Sequence, residues 1–182
     1  MNTQSIGEHF LADALRSFRD YKKLAERAFA QLDDADFFRT IDEESNSIAV
    51  NMKHMAGNMF SRWTDFLTSD GEKPERNRDR EFIDDLTSRQ EITQEWERGW
   101  DVLFEALRSL RPGDLGRTVV IRSEPHSVPD ALHRALAHVA YHVGQIVQLA
   151  RYLAKDRWDT ITIARGGSDE FNRRMMRQRG AS

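Results

Sequence analysis

Apolar side chains recur at three- and four-residue steps in four separate stretches of the chain, and this spacing constrains the fold most. Residues at such steps lie on one face of an α-helix, and that face must be buried against other helices. Four such helices joined by polar loops predict an all-α fold, a four-helix bundle. The apolar sets are Leu11, Leu15, Phe18, Tyr21, Ala25, Phe29 and Leu32; Ile48, Met52, Met55, Met59, Trp63 and Phe66; Ile92, Trp96, Trp100, Leu103, Leu107 and Leu110; and Leu132, Leu136, Val139, Val143, Ile146, Val147 and Ala150.

Capping and breaking residues mark where these helices begin and end. Ser5 with Glu8 has the form of a capping box. Ser127 is predicted to cap the fourth helix, with Pro129 in its first turn and Asp130 at N3. A Pro-Gly pair ends the third helix. The predicted helices run from Ser5 to the Asp33-Asp34 pair, from the polar segment 42–47 to about Thr68, from Glu81 or the cap at 87–90 to Arg111, and from about Val128 to Ala154.

Two segments depart from this helical period. Residues 116–122 are rich in Thr, Val and Ile, and they predict a short strand or hairpin before the fourth helix, with its turn at 123–126. After Lys155 we expect a tail that packs over the bundle or a neighbouring subunit and ends in a short helix near 168–177. The apolar residues of this tail that need burial are Trp158, Ile161, Ile163 and Phe171.

Composition excludes several classes of protein. The 182 residues include no cysteine, so disulfides, thiolate metal sites and a cysteine nucleophile are excluded. The net charge is −3 and the signs are well mixed, which argues against a nucleic-acid partner. Arg76, Arg78 and Arg80 have acidic neighbours, and we interpret them as part of a solvated loop.

The chain also lacks the usual marks of export and of several domains. Its first residues do not form a signal peptide, and no apolar run approaches the ~18 residues that a membrane span needs. We therefore expect a cytoplasmic protein without a membrane partner. No internal repeat or low-complexity linker is present, so residues 1–182 are expected to form a single domain.

His138 and His142 lie one helical turn apart on the predicted fourth helix, and Gln145 continues the same face. They line one edge of the apolar arc, where a side chain is partly desolvated and close to a cavity. Imidazole is the commonest protein ligand for zinc and also suits nickel, iron and copper. The pair therefore suggests a metal site, although His-x-x-x-His alone is a weak signal.

A third imidazole, His54, lies on the second predicted helix, roughly opposite the stripe from Ile48 to Phe66 that contains Met52, Met55 and Met59. Either His54 faces water, or this helix is covered on one side by its own bundle and on the other by a partner subunit. The helical wheel does not decide between these alternatives. If His54 joins the other histidines, we expect the methionine stripe to face a partner, and its burial in the core would argue against the site.

Several known types of metal and catalytic site are excluded by their missing residues. A zincin needs Glu beside the first histidine, but Val139 stands there. The helices contain no Glu-x-x-His pair of the di-iron type, and nucleophile-elbow, P-loop and dinucleotide motifs are absent. A mononuclear site with three neutral imidazoles and open positions remains. It would activate water or hold the thiolate of a small molecule, with no suitable Glu base evident beside it.

Four segments carry a resemblance to a known family: 61–67, 70–74, His138 to Gln145 and 166–168. Together they are similar to an uncharacterised branch of the DinB-like (YfiT-like) superfamily of bacterial metal-binding four-helix bundles. The chain resembles the superfamily as a whole in its four predicted helices, with a histidine on the second and His-x-x-x-His-x-x-Gln on the fourth. The resemblance covers nearly the whole chain. It implies that His54, His138 and His142 bind a divalent ion such as nickel or zinc. It also implies a homodimer, related to enzymes that join a small thiol (mycothiol or bacillithiol) to electrophiles or act in similar detoxification.

Two functions follow as hypotheses. The first is a metal-dependent thiol transferase or hydrolase whose substrate, a small-molecule thiol or electrophile, enters a pocket formed by Asn58, Arg62, Tyr141 and Gln145. The second is a non-catalytic, dimeric metal-binding or interaction protein, in which the methionine stripe of the second helix forms the interface.

Overall fold

The computed structural model describes residues 5–86 and 88–179, without the side chain of Arg179. The predicted capping position Thr87 lies outside the described residues. Within them, no helix combines the length and the apolar character that a membrane crossing requires. The helices are α1 (Ile6–Phe29), α2 (Asp34–Phe37), α3 (Ile48–Trp63), α4 (Arg89–Ser109), α5 (Val128–Ala154) and α6 (Ser168–Arg179), and the strands are β1 (Thr118–Ile121) and β2 (Glu124–Ser127).

The predicted four-helix architecture is confirmed, with α1, α3, α4 and α5 as the long helices of the bundle. Helix α3 packs on both α4 and α5, and α1 packs on α5. One continuous core joins the four, and its largest fully buried side chains include Phe18, Met55, Trp96, Trp100 and Ile146. The spacing of apolar residues in the sequence therefore predicted which faces of the helices pack together in the core.

The predicted caps form as expected at the starts of α1 and α5. The hydroxyl of Ser5 accepts the N–H of Glu8 (3.2 Å), whose carboxylate accepts the N–H of Ser5 (2.7 Å). Ser127 and Asp130 form the same reciprocal pair at α5. Helix α1 ends earlier than predicted, because the Asp33-Asp34 pair caps and begins α2 rather than closing α1. Helix α3 also ends early, at Trp63 rather than near Thr68, and the backbone leaves the helical conformation at Thr64 and Asp65.

The predicted hairpin is present, but its turn was placed wrongly. Residues 124–127 form strand β2, which pairs antiparallel with β1, and the turn lies at Arg122 and Ser123. Both turn residues have positive φ (56° and 63°), which non-glycine residues seldom adopt. Asp70 stabilises the turn because its carboxylate accepts the N–H groups of Arg122 and Ser123, each at 2.8 Å. This contact joins distant parts of the sequence, so the local pattern did not reveal the turn.

Helix α3 lies at the centre of the bundle, and 11 of its 16 residues are buried. Its methionine stripe is at most 4% exposed from Ile48 to Trp63 and belongs to the core. The prediction that this stripe faces a partner subunit is therefore wrong. The opposite side of α3, with Asn51 and His54, is buried as well, against α5 and the 3₁₀ turn Asp79–Phe82. The helix is covered on two sides, but both covers belong to the same chain.

The tail packs on the bundle over its first part. Trp158 packs against the core and Ile161 is buried. Ile163 is 44% exposed, and nearly all of α6 is exposed too. The predicted packing within the chain therefore holds as far as Ile161, and the expected burial of Ile163 does not occur in the single chain.

Helices α3 and α4 approach so closely that Gly99 leaves no room for a side chain. A Cβ at Gly99 would lie 2.9 Å from the Cα of Ala56, whereas a Cβ at Gly144 on α5 would meet no atom within 4 Å. We expect Gly99→Ala to destabilise the protein by about 1–3 kcal/mol. The control Gly144→Ala should be neutral or stabilise it by up to about 1 kcal/mol through helix propensity. Urea unfolding measures both, and equal stability of the two variants would contradict this close approach.

Candidate metal centre

His54 on α3 meets His138 and His142 on α5 in the interior of the bundle. One ring nitrogen from each lies within 4.8 Å of the others, and the Nε2 atoms of His54 and His138 are 3.0 Å apart. His54 is 3% exposed, His142 is 7% exposed and His138 is half-buried. The three histidines named from the sequence are therefore brought together as one cluster that can hold a metal ion.

The distances and the donor atoms fit a divalent ion. Two imidazole nitrogens bound at about 2.0–2.1 Å in tetrahedral geometry are about 3.3 Å apart, close to the separation of His54 and His138. Imidazole nitrogens suit zinc and nickel among the first-row metals. Among the described residues the cluster comprises these three ligands and no others, so an ion held there would keep coordination positions open.

A buried carboxylate fixes the orientation of the His54 ring. The Nδ1 atom of His54 lies 2.8 Å from Oε2 of Glu81, and Arg76 donates two hydrogen bonds to the same carboxylate, at 2.8 and 2.9 Å. Burial would raise the pKa of Glu81, but the hydrogen bonds from His54 and Arg76 lower it overall. The ionised carboxylate therefore accepts the Nδ1 proton, and Nε2 is left as the free donor atom facing α5.

Glycine at position 57 allows this carboxylate to approach α3. A Cβ at Gly57 would lie 2.5 Å from Oε1 of Glu81 and 2.8 Å from its Cδ. Gly57 lies three residues after His54, so both face the segment that carries Glu81. Any side chain there would push the carboxylate away from the His54 ring.

An amide plays the corresponding role for His142. The Nδ1 atom of His142 lies 3.2 Å from Oδ1 of Asn51, whose Nδ2 donates to the carbonyl of Ser47 at 2.9 Å. Because this second bond fixes the amide, Asn51 presents its oxygen to His142 and accepts the Nδ1 proton. Nε2 of His142 is then also free to bind a metal. Two of the three imidazoles are thus held in the tautomer that a metal site requires.

The surroundings keep two of the histidines neutral. Burial lowers the pKa of His138 to about 3, and the charges of Arg76 and Arg62 contribute to this shift. Burial likewise lowers the pKa of His142 to about 4, with a contribution from Arg78. Both rings are therefore unprotonated at neutral pH, the state in which imidazole binds metals.

The cluster opens into a cavity of about 360 Å³. All four residues predicted for the pocket, Asn58, Arg62, Tyr141 and Gln145, line this cavity. The Tyr141 ring is exposed and lies 5.0 Å from the His142 ring. Oε1 of Gln145 is buried, and the Gln145 side chain lies close enough to His142 to oppose the lowering of its pKa. The four predicted residues thus lie on the two helices, α3 and α5, that carry the histidines.

Sequence reasoning missed the residues that hold the histidines. Arg76 was assigned to a solvated loop, but its side chain is only 5% exposed and forms ion pairs with Glu81 and Glu72. No Glu was expected beside the histidines, yet Glu81 contacts His54. Asn51 could have been predicted from the sequence to lie near the site, because it stands three residues before His54 on the same helix face.

The sequence analysis linked the methionine stripe to the histidine cluster by an argument that proved wrong, although the cluster itself forms. Burial of the methionine stripe was expected to rule out the three-histidine cluster, yet the stripe is buried and the cluster forms. The argument assumed that α3 buries only one face within its own chain. Because α5 and the turn Asp79–Phe82 cover the second face, the core stripe and the histidine belong to one bundle.

A model of a known protein family matches residues 5–167, which is most of the chain. The family is described as proteins of unknown function, DUF1572. The chain belongs to the DUF1572 family. No curated protein and no solved structure matches it. The histidine cluster, its supporting carboxylate and the cavity of this DUF1572 protein therefore provide the evidence about its function.

The depressed histidine pKa values predict how the stability of the metal-free DUF1572 protein depends on pH. The folded values, about 3 for His138 and about 4 for His142, lie below the ordinary 6.5. Below pH 6.5 the unfolded chain binds more protons than the folded one, so stability falls as the pH falls through this window. By about pH 5 the loss should reach up to about 2 kcal/mol per histidine.

Urea unfolding of metal-free protein at about pH 7 and about pH 5 measures this loss. His138→Gln should lose less stability than the wild type between the two pH values, because it lacks one of the two groups. An identical pH dependence in the variant and the wild type would contradict the assignment of a half-buried His138 that stays neutral.

Glu81 should strengthen metal binding without touching the ion. We expect Glu81→Gln to weaken the affinity for nickel or zinc about 10- to 100-fold, because the His54 ring loses its charged acceptor. Competition with a chromophoric chelator measures the affinity, and thermal unfolding checks that the variant is folded. Glu105→Gln, an exposed change of the same type on α4, is the control. Equal affinities in the two variants would show that Glu81 does not support the site.

Proposed function

We propose that this DUF1572 protein is a metal-dependent enzyme of the DinB-like superfamily, a thiol transferase or hydrolase acting on a small molecule. One observation carries the proposal. Three imidazoles from α3 and α5 converge in a buried cluster beside an open cavity, and no fourth ligand belongs to that cluster among the described residues. A purely structural site usually closes its coordination sphere with protein side chains, whereas a catalytic site keeps a position open.

The arrangement of the ligands supports the superfamily assignment. One histidine comes from the second of four long helices, and His-x-x-x-His-x-x-Gln comes from the fourth. This is the pattern on which the sequence resembles the DinB-like proteins. Sharing a fold does not determine a reaction, so the reaction has to be argued from the site.

We expect His54, His138 and His142 to hold nickel or zinc. When bound, such an ion supplies Lewis-acid chemistry that lowers the pKa of water or of a thiol. The chain has no cysteine, so a reacting thiol must come from a small molecule. Glu81 and Asn51 orient the ligand rings, and Arg76 holds Glu81 in place.

The rest of the cavity would bind and orient the substrate. Trp63, Phe66 and Phe82 contribute apolar wall, which displaces water from the bound molecule. The carboxamide of Gln145 lies beside His142, and its buried oxygen can accept a hydrogen bond from a donor group on the substrate. These side chains would orient the substrate in the cavity. The histidines mark the end of the cavity at which the reaction would occur.

A homodimer, which the DinB-like resemblance implies, is also part of the proposal. Its interface would have to use a surface other than the methionine stripe, because that stripe is buried within one chain. The alternative hypothesis, a non-catalytic dimeric protein, was based on that stripe as the interface. Because the stripe is buried, this hypothesis loses the sequence feature that supported it.

Metal content tests the site. Protein purified without a metal-affinity column should contain about one equivalent of metal by elemental analysis, and His54→Ala should lose it. His9→Ala, which removes an exposed histidine on α1, is the control and should retain the metal. Full metal content in His54→Ala would show that the ion binds elsewhere.

Turnover tests the reaction. A thiol transferase should consume an aryl chloride electrophile only when a small thiol is supplied, and a hydrolase should cleave an activated ester without thiol. Either activity should disappear in His142→Ala. The enzyme proposal fails if metal-loaded wild type turns over neither type of substrate faster than a metal-free control.

A further inference from the structure

The cavity beside the histidines is strongly cationic. Among the residues that the structure describes, five arginines line it and no aspartate or glutamate does. They come from α3, from the loop before the turn Asp79–Phe82, from the hairpin turn and from α5, so positive charge surrounds the cavity on several sides. The five are Arg62, Arg76, Arg78, Arg122 and Arg134.

The acidic groups behind the wall neutralise only part of this charge. One carboxylate oxygen, Oε2 of Glu72, accepts hydrogen bonds from Arg62 (2.8 Å), Arg76 (3.2 Å) and Arg122 (3.1 Å). Glu81 binds Arg76 as well. Three guanidinium groups thus share two carboxylates, and arginine remains charged at any physiological pH.

The other two arginines have more freedom to bind a ligand. Arg78 stacks on Phe82, with its guanidinium carbon 4.8 Å from the ring centre, and its nearest carboxylate, Asp79, is 4.0 Å away and 96% exposed. Such an exposed pair contributes little. Arg134 is exposed and, in the part of the chain that the structure describes, forms no hydrogen bond or ion pair.

Arg134 also stands at a defined distance from the histidines. It precedes His138 by four residues, so it lies on the same face of α5 one turn away. At 1.5 Å per residue this places its Cα about 6 Å from that of His138 along the helix axis. A small molecule can span that distance, and the cavity volume of about 360 Å³ fits one.

We propose that the cavity binds a small molecule through a carboxylate or phosphate group held by Arg78 and Arg134, with the remainder of the molecule directed at the three histidines. The guanidinium fork matches both kinds of oxyanion, which is why the two share one site. The direction of the ligand rests on the proposed function, whereas the recognition of its anionic group rests on the arginines alone.

Binding of matched probes tests this assignment. Phenylacetate and phenyl phosphate carry the two anionic groups on one ring, and phenylacetamide is the neutral counterpart of phenylacetate. Calorimetric titration of the full-length wild type should show at least one anion binding about tenfold or more tightly than phenylacetamide. The tighter of the two anions then identifies which group the site prefers.

Variants assign the binding to the arginines. Arg78→Gln and Arg134→Gln should each weaken binding of the preferred anion about tenfold while keeping the wild-type metal content. Arg108→Gln, an equal charge change on an exposed position of α4, should leave binding unchanged. The inference is overturned if neither anion binds, if phenylacetamide binds equally well, or if the cavity variants match Arg108→Gln.

These outcomes separate the inference from the proposed function. A protein that carries metal and turns over substrate, but binds anions regardless of Arg78 and Arg134, retains the function and loses the inference. A protein without metal or turnover, whose anion binding still depends on these arginines, loses the function and retains the inference.

Discussion

The buried contact between His54 and Glu81 is the interaction on which the rest of the site depends. It allows α3 to bury its polar side as well as its apolar side, because the histidine has a charged partner and the carboxylate is held in turn by Arg76. An unpaired charge in this position would cost several kcal/mol. The same contact anchors the loop before the turn Asp79–Phe82 to the bundle, and so it brings Arg76 and Arg78 to the cavity.

The local chemistry favours a cation at one point and an anion next to it. His138 and His142 are neutral, since burial and the nearby arginines oppose their protonation. They therefore offer lone pairs rather than positive charge, and a metal ion can take the place that a proton does not occupy. Around the histidines there are more arginine side chains than carboxylates that pair with them. This excess of positive charge favours an anionic ligand close to the metal. A metal ion at the histidines would meet the first preference, and the acidic group of a substrate would meet the second.

Local sequence rules predicted those features that depend on neighbouring residues. The capping pairs Ser5 with Glu8 and Ser127 with Asp130 form as expected, and the face shared by His138, His142 and Gln145 follows from helical spacing alone. The predictions that were wrong concern features that depend on contacts between segments distant in the sequence. The turn at Arg122 needs Asp70, and Arg76 is buried because Glu72 and Glu81 lie beside it. For α3 the sequence allowed a second covered face but assigned its cover to a partner subunit, whereas α5 and the turn Asp79–Phe82 of the same chain cover it.

Anomalous diffraction from a crystal grown with nickel or zinc, recorded at the absorption edge of that metal, tests the central claim most directly. We expect one strong peak between α3 and α5, about 2.0–2.1 Å from a ring nitrogen of each of His54, His138 and His142, with no fourth side chain in contact. A peak at another place, or a fourth protein ligand that closes the site, would contradict a three-histidine centre open to the cavity.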